Sequence, residues 1–395
     1  MTALARSAGA PIELLGQVSI GREWTPVTRL VLDRELPGVG DTVIVKTRRV
    51  DGEGHGGPAF LRREAAGLQT AQPSGVTPCL IHFDDDAGLV IQTDVGDWPT
   101  LQDLLMGGDP SKATTGMIDM GTSVGRLHAA TIGKEDGHRH ILDGNAADVD
   151  TGLNYVYGAD RWDGIEQACA DLGLPSASPA RPDVLRLLQR IFEPGPYTAL
   201  THLDLNPTNV LSTDHGARLV DFEGCRFGQL GIDASFLHYP FPHHSTPWAT
   251  VPTSVIDAAD LAYRTALASG GAHHALARYD YMLADGAAAA LIARISRLPV
   301  LARPDQSPHD SWRRRGQMLQ QIQVFTRLAE KADSLWALAD WLRSLATAMI
   351  DRWPDASNAQ APLFPAFAQT PQLPPILSGP DSQTTTPPAL NQMSQ

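Results

Sequence analysis

Leu200–Leu211 reads LTHLDLNPTNVL, and Ala217–Gly228 follows as ARLVDFEGCRFG. His202, Asp204 and Asn209 form the pattern H-x-D-x-x-x-x-N, and Asp221 closes the apolar run ARLV twelve residues beyond Asn209. The flanking aliphatic runs read as short strands. Two carboxylates, a histidine and two asparagines therefore sit where packing alone would place apolar side chains, and burying them uncompensated is costly. Packing does not account for them.

Phosphoryl transfer from a nucleotide needs this set of parts. One carboxylate orients the acceptor hydroxyl and takes its proton. An amide oxygen and a second carboxylate hold magnesium against the phosphates, because hard cations take oxygen ligands. The five-residue step from Asp204 to Asn209 leaves a loop that aims both side chains into one cleft. Upstream, Lys46 lies in the strand VIVKT, where a lone ammonium is expensive unless it meets an anion. Glu64 follows eighteen residues later on the helix FLRREAAGLQ and is its candidate partner. Taken alone, Lys46 reads better as an edge-strand charge facing solvent; with the downstream pattern the balance reverses.

The rest of the chain bounds the answer. It has 395 residues, a net charge of −13 and 43% hydrophobic residues, which suits two lobes with a sizeable core. The acidic balance argues against nucleic acid and against an anionic membrane surface, and it fits a cationic or neutral small molecule. Cys79, Cys169 and Cys225 are scattered, so neither a disulfide framework nor a structural zinc site is expected. The start of the chain lacks the pattern of a signal peptide, and GAAAALIARI is too short to span a membrane. A cytoplasmic location is the expectation.

Residues 1–95 read as a β-rich lobe: IELLGQVSI, VTRLVLD and DTVIVKT are strands, and CLIHF and GLVIQT form a hairpin around DDDAG. Residues 96–353 read as mostly helical; in RPDVLRLLQRIF, Val184, Leu187, Leu188 and Ile191 form one stripe. Residues 354–395, rich in Pro, Gln, Ser and Thr, read as a disordered tail. Asp233 reads as a cap for the following helix. His243–His244 and His273–His274 read as surface or packing residues, Arg313–Arg315 as a solvated face, and Trp312, Trp336 and Trp341 as core or interface anchors.

With these residues in place, the chain resembles the aminoglycoside phosphotransferase and choline kinase-like branch of the protein-kinase fold. THLDLNPTNVL is similar to that family's H-G-D-x-x-x-x-N loop, VDFEGCRFGQLGIDAS to its D-[WF]-E…G…D segment, GRLHAA to its L-H-A helix end, and GLVIQTDVGDWPTLQDLL to its hinge. The resemblance covers roughly residues 12 to 240. It implies an α+β, protein-kinase-like two-lobed fold with a small β-rich N-lobe and a larger, mostly α-helical C-lobe. It also implies an ATP-dependent phosphotransferase, with Mg2+ as cofactor and GTP left open as co-substrate, acting on a hydroxyl of a small molecule. The resemblance makes Asp204 the catalytic carboxylate, Asn209 and Asp221 the metal ligands, and Lys46 the phosphate-binding residue paired with Glu64. Backbone groups around Gln92, Thr93 and Asp94 would meet the nucleotide base, and Ser19, with Gly16 and Gly21, lies near the tip of the phosphate-covering loop.

Departures from the pattern matter. The covering loop is no G-x-G-x-x-G, Leu203 stands where the family usually has Gly, and Asn206 and Thr208 replace residues often His and Gly. An aminoglycoside or amino sugar is the acceptor that fits the acidic balance, with an amino alcohol or a plain sugar next. A metabolic small-molecule kinase and a nucleotide-binding pseudokinase scaffold are the rival readings. The intact Lys46, Asp204, Asn209 and Asp221 set counts against the scaffold.

Overall fold

The computed structural model describes residues 11–20, 26–47, 58–142, 159–239, 249–302, 311–357 and 361–368. Gly21 and the pair His243–His244 lie outside the described residues. The N-terminal part is an antiparallel sheet in the order β1-β2-β3-β5-β4, built from β1 (Leu14–Ser19), β2 (Val27–Leu36), β3 (Gly40–Thr47), β4 (Leu80–Asp84) and β5 (Leu89–Thr93). Strand alternation sorts its faces. Val43 and Ile91 point to one side, where they pack with Ile12, Leu32 and Leu36. Lys46 pairs with Val90 and Ile44 with Gln92, so these four point to the other side. Helix α1 (Pro58–Ala71) lies against that second face, with Leu61, Ala65 and Leu68 buried.

The larger part is helical: α2 (Leu101–Met106), α3 (Pro110–Thr131), α4 (Glu135–Leu142), α5 (Ala159–Leu172), α6 (Arg181–Phe192), α7 (Gly231–Ala234), α8 (Thr253–Ser269), α9 (His273–Leu276), α10 (Tyr279–Ile295), α11 (Leu298–Leu301), α12 (Ser311–Lys331), α13 (Trp336–Arg352) and α14 (Pro354–Ser357). Thr100 and Asp103 form a reciprocal capping box that starts α2 directly after the β5 strand and its turn. Asp109 accepts from the N–H groups of Ser111 and Lys112 and starts α3, with Pro110 in the first turn. Helices α3 and α8 pack backbone to backbone: a Cβ at Gly121 would stand 2.2 Å from the carbonyl oxygen of Ala259, and one at Gly125 would stand 2.5 Å from that of Tyr263. No larger residue fits there without moving a helix.

Among the helical β-islands, β6 (Thr198–Thr201) pairs with β9 (Arg226–Gln229), and β7 (Val210–Thr213) pairs with β8 (Gly216–Leu219). Trp341 is buried edge-on against Trp162, with centroids 5.1 Å apart. Trp336 is exposed and donates to Asp333.

Two sequence expectations need correction. Arg315 is buried, not solvated: its guanidinium donates through Nε and Nη2 to the carbonyl of Leu301, at 3.0 and 2.8 Å, and stacks over Trp353. The tail expected to be disordered from Pro354 onward is ordered where it is described. Phe364 and Phe367 are fully buried, Phe364 N–H donates to Thr250, and Leu363 bridges Thr250 in parallel. Two aromatic side chains within four residues bring enough apolar area to offset the ordering cost that the surrounding prolines and alanines cannot. Residues 369–395 lie outside the described residues. Among the described residues, no helix is long and apolar enough to cross a membrane.

Candidate active site

The two short ribbons hold the quoted segments side by side. The loop of residues 202–209 leaves β6 and enters β7, while residues 220–225 run from β8 into β9, so each ribbon anchors one end of each segment. Cross-links join them directly. The N–H of Val220 donates to the carbonyl of Asn209 at 3.0 Å, and Nε2 of His202 donates to the carbonyl of Val220 at 2.9 Å. Nδ1 of His202 accepts the N–H of Asp204, at 3.3 Å, and the ring packs on Phe222. Both ring nitrogens are committed, which makes His202 a brace rather than a proton carrier.

Two non-glycine residues in the loop pair are left-handed: Leu203 at φ 64° and Asp221 at φ 71°. Such a conformation costs a non-glycine residue about 1–2 kcal/mol and persists where neighbours over-determine it. Asp233 does this for Leu203. Its two carboxylate oxygens accept the N–H of His202 at 2.6 Å and that of Leu203 at 2.9 Å. Asp233 is completely buried, and Nε2 of His128 lies 3.3 Å away, with Nδ1 of the same ring bonded to the Tyr263 hydroxyl at 2.8 Å. Asp233 thus clamps the loop that carries Asp204 and does not cap a helix. Its place between Ile232 and Ala234, in a run that must be buried, was the available signal.

Lys46 Nζ bonds Glu64 Oε1 and Oε2 at 2.6 and 2.7 Å and Asp221 Oδ1 at 2.6 Å. One ammonium is shared by two carboxylates. Burial disfavours the Lys46 ammonium, but the charges of Asp221 and Glu64 outweigh it and hold the lysine above its ordinary range. The surplus negative charge appears on the other partner: burial, opposed by Lys46 and aided by Asp221, raises Glu64. Glu223 is raised to about 7 by burial and by the charges of Asp221 and Asp204. Arg63 of α1 donates to the Glu223 carbonyl at 2.8 Å, and Cys225 Sγ donates back to the Arg63 carbonyl at 3.4 Å. Helix α1 is therefore tied at two points to the segment that carries Asp221.

Asp204 and Asn209 share one knot. Nδ2 of Asn209 donates to the carbonyl and to Oδ2 of Asp204, at 2.9 and 3.1 Å, which turns the amide oxygen of Asn209 away from the carboxylate. Asn206, which sequence reasoning noted only as a departure, donates to Oδ1 of Asp204 at 2.5 Å.

The remaining expected residues stand apart from this constellation. Ser19 ends β1 opposite Thr28 and is exposed. Gln92 is buried on the Lys46 face of β5, and its Oε1 has no partner among the described residues. The N–H of Thr93 donates to the carbonyl of Cys79, so that donor is already taken. The Asp94 carboxylate bonds Arg29 at 2.5 and 3.2 Å and the N–H of Gly96 at 2.9 Å; it braces the hinge.

A metal fits the donor set. The carboxylate oxygens of Glu64, Asp221 and Glu223 lie within 4.8 Å of one another and are the hard oxygen ligands a magnesium ion takes. Lys46 engages both carboxylate oxygens of Glu64 and one of Asp221.

Comparison with known proteins bears on the whole arrangement. Among solved structures, the chain is similar to a choline kinase from Cryptosporidium parvum Iowa II, at 14% identity over 84% of this chain and 93% of that one, with a TM-score of 0.45. It is similar to an ethanolamine kinase from Plasmodium vivax, at 10% identity over 88% and 84%, with a TM-score of 0.44. It is also similar to a choline kinase from Streptococcus pneumoniae, at 15% identity over 80% and 94%, with a TM-score of 0.39. No curated protein matches the chain. The model of the phosphotransferase enzyme family matches residues 54–277, more than half of the chain, and takes in Glu64, the hinge, the Asp204 loop and Asp221. The chain belongs to this phosphotransferase enzyme family.

Proposed function

We propose that the protein transfers the γ-phosphate of ATP to a hydroxyl of an aminoglycoside or amino sugar, with Asp204 as the catalytic carboxylate. The observation that carries this reading is the shared ammonium of Lys46, which brings Glu64 and Asp221 together, with the Asp221 segment hydrogen-bonded to the loop that holds the Asp204–Asn209 knot. Lys46 would bind the α- and β-phosphates, with Glu64 fixing its position. Residues 1–95 would serve as the nucleotide lobe and 96–353 as the lobe that supplies the catalytic loop and the acceptor site. Ser19 and the backbone around Gln92 and Asp94 would contact the nucleotide. Asp221 and Asn209 would hold magnesium, with Glu223 within reach. When bound, the ion neutralises charge on the β- and γ-phosphates.

In the step itself, Asp204 accepts the proton of the acceptor O–H. The acceptor oxygen forms a bond to the γ-phosphorus, the bond from that phosphorus to the β–γ bridging oxygen breaks, and ADP leaves with the electron pair. Positioning and charge neutralisation do most of the work, and proton acceptance adds roughly two to four powers of ten. The net charge of −13 and the acidic rim of Asp204, Asp221 and Glu223 support an acceptor that carries amino groups.

The test is ADP release from magnesium–ATP against aminoglycosides, amino sugars, sugars and amino alcohols, with Asp204→Asn as the blank. A signal confined to amine-bearing acceptors and absent from the variant supports the reading. A signal only with neutral sugars overturns the acceptor class. Turnover retained by Asp204→Asn overturns the role of Asp204.

A further inference from the structure

We infer that Asn206 is a positioning residue for the transfer: its side-chain amide holds the Asp204 carboxylate in the orientation that receives the acceptor proton. The inference rests on the proposed role of Asp204. The Asp204 carboxylate is held at both oxygens, by Asn206 Nδ2 on Oδ1 at 2.5 Å and by Asn209 Nδ2 on Oδ2 at 3.1 Å. An ionised carboxylate offers about four acceptor sites, so two amide donors fix its plane and leave acceptor capacity for a substrate hydroxyl.

The two amides differ in what else they do. Asn209 also bonds the Asp204 carbonyl, and its amide oxygen accepts from the Thr208 hydroxyl at 3.5 Å. The side chain of Asn206 has one hydrogen-bond partner among the described residues, Asp204, and the residue is 3% exposed. Its backbone is set independently. Pro207 confines the preceding residue to extended conformations, and Asn206 sits at φ −68°, ψ 149°. Its N–H donates to the Asp204 carbonyl at 2.8 Å, and its carbonyl accepts from Asn209 at 2.9 Å. The side chain therefore leaves a rigid base and reaches one target.

The rim makes such a hold necessary. The like charge of Asp204 reaches Glu223, and Asp221 lies beside Glu223. A carboxylate free to rotate near a like charge turns away from it. A neutral amide donor opposes that rotation without adding charge.

The experiment uses the full chain, with magnesium–ATP as the probe and water as the acceptor, so that ADP release reads the step without a known substrate. Asn206→Leu removes the donor at similar size; Asn206→Asp keeps the shape and replaces the donor by an acceptor, and it carries the test should the leucine variant not fold. The expected result is a loss of kcat of about 10–100-fold, the scale of a small misplacement of a reacting group, with the KM for ATP unchanged. A merely structural role gives the same fold-loss in any background. Action through Asp204 requires instead that Asn206→Leu change nothing further in Asp204→Asn. Native kcat in both Asn206 variants, or equal losses in both backgrounds, overturns the inference. Native turnover in Asp204→Asn alone overturns the role of Asp204 on which it rests.

Discussion

The two clusters of the candidate site, one around Lys46 and one around Asp204, are built on different principles. Lys46, Glu64 and Asp221 come from a strand, a helix and a loop, separated by 18 and 175 residues in sequence, and a charge holds them together. Asp204, Asn206 and Asn209 come from one loop, and neutral amides hold them. The charged side exists only when sheet, helix α1 and the helical lobe are assembled. The amide side is preformed within the helical lobe, on ribbons that do not involve the sheet. Charge reaches across lobes and carries a desolvation cost, whereas amide hydrogen bonds hold geometry locally at little electrostatic risk.

Breaking the chemistry should have the largest effect. Asp204→Asn is expected to lower kcat by roughly 10²–10⁴-fold while leaving the thermal midpoint near native, measured by ADP release alongside a melting curve. Next comes the charged side. Lys46→Met leaves two carboxylates without their cation, and breaking a buried pair from one side costs about 3–5 kcal/mol, at the lower end here because Asp221 is partly exposed. Asn209→Ala, on the amide side, should cost only about 1 kcal/mol. Urea midpoints of the two variants give the contrast directly, and similar losses in both would contradict it.

A charged cluster away from the candidate site sharpens the comparison through pH. Asp260 is buried, which raises its pKa, but the hydrogen bond and charge of His238, the Tyr279 hydroxyl and Arg264 outweigh burial and bring it down to about 2. Its folded value lies below the unfolded one of about 3.9. Its contribution is therefore complete above that value and disappears as pH falls through about 2, on the order of 2 kcal/mol in all. Stability of the native protein and of Asp260→Asn should converge between pH 4 and pH 2; parallel curves over that range would remove Asp260 from the account.

The smallest effect is expected at Leu203. Leu203→Gly relieves the left-handed strain of about 1–2 kcal/mol, and the added backbone freedom of glycine and the lost leucine packing offset most of it. A change in stability below about 1 kcal/mol, with kcat kept, is the expected outcome. A large loss would mean that the leucine side chain, and not Asp233, holds the loop.

Much of this was legible in the residues. The alternation of VIVKT, the stripe in FLRREAAGLQ and the H-x-D-x-x-x-x-N spacing are local patterns, and the structure brings Lys46 to Glu64 and Asp204 to Asn209. What stayed hidden depends on burial, which a single residue does not announce. Asp233 read as a cap because an aspartate before Ala-Ser has the same local appearance whether it faces solvent or two backbone amides. Arg315 vanished into a run of arginines because charge runs ordinarily face water, and its helix turns it under Trp353. Asn206 looked like a substitution because its hydrogen bond to Asp204 depends on the backbone angles it takes before Pro207. The family's glycine before the catalytic aspartate became intelligible only with the φ of Leu203 in hand.

The anchored residues after helix α13 change what counts as the edge of this protein. Phe364 and Phe367 belong to the same core as Trp353 and Leu101, and the strand-like contact at Thr250 seals the place where they enter. A protein cut at the end of α13 would lose two buried aromatic rings and bare the apolar surface beneath them, the kind of defect that makes a folded protein stick to its neighbours. Deletions that begin at the proline that first looks like the end of the fold therefore remove part of its core.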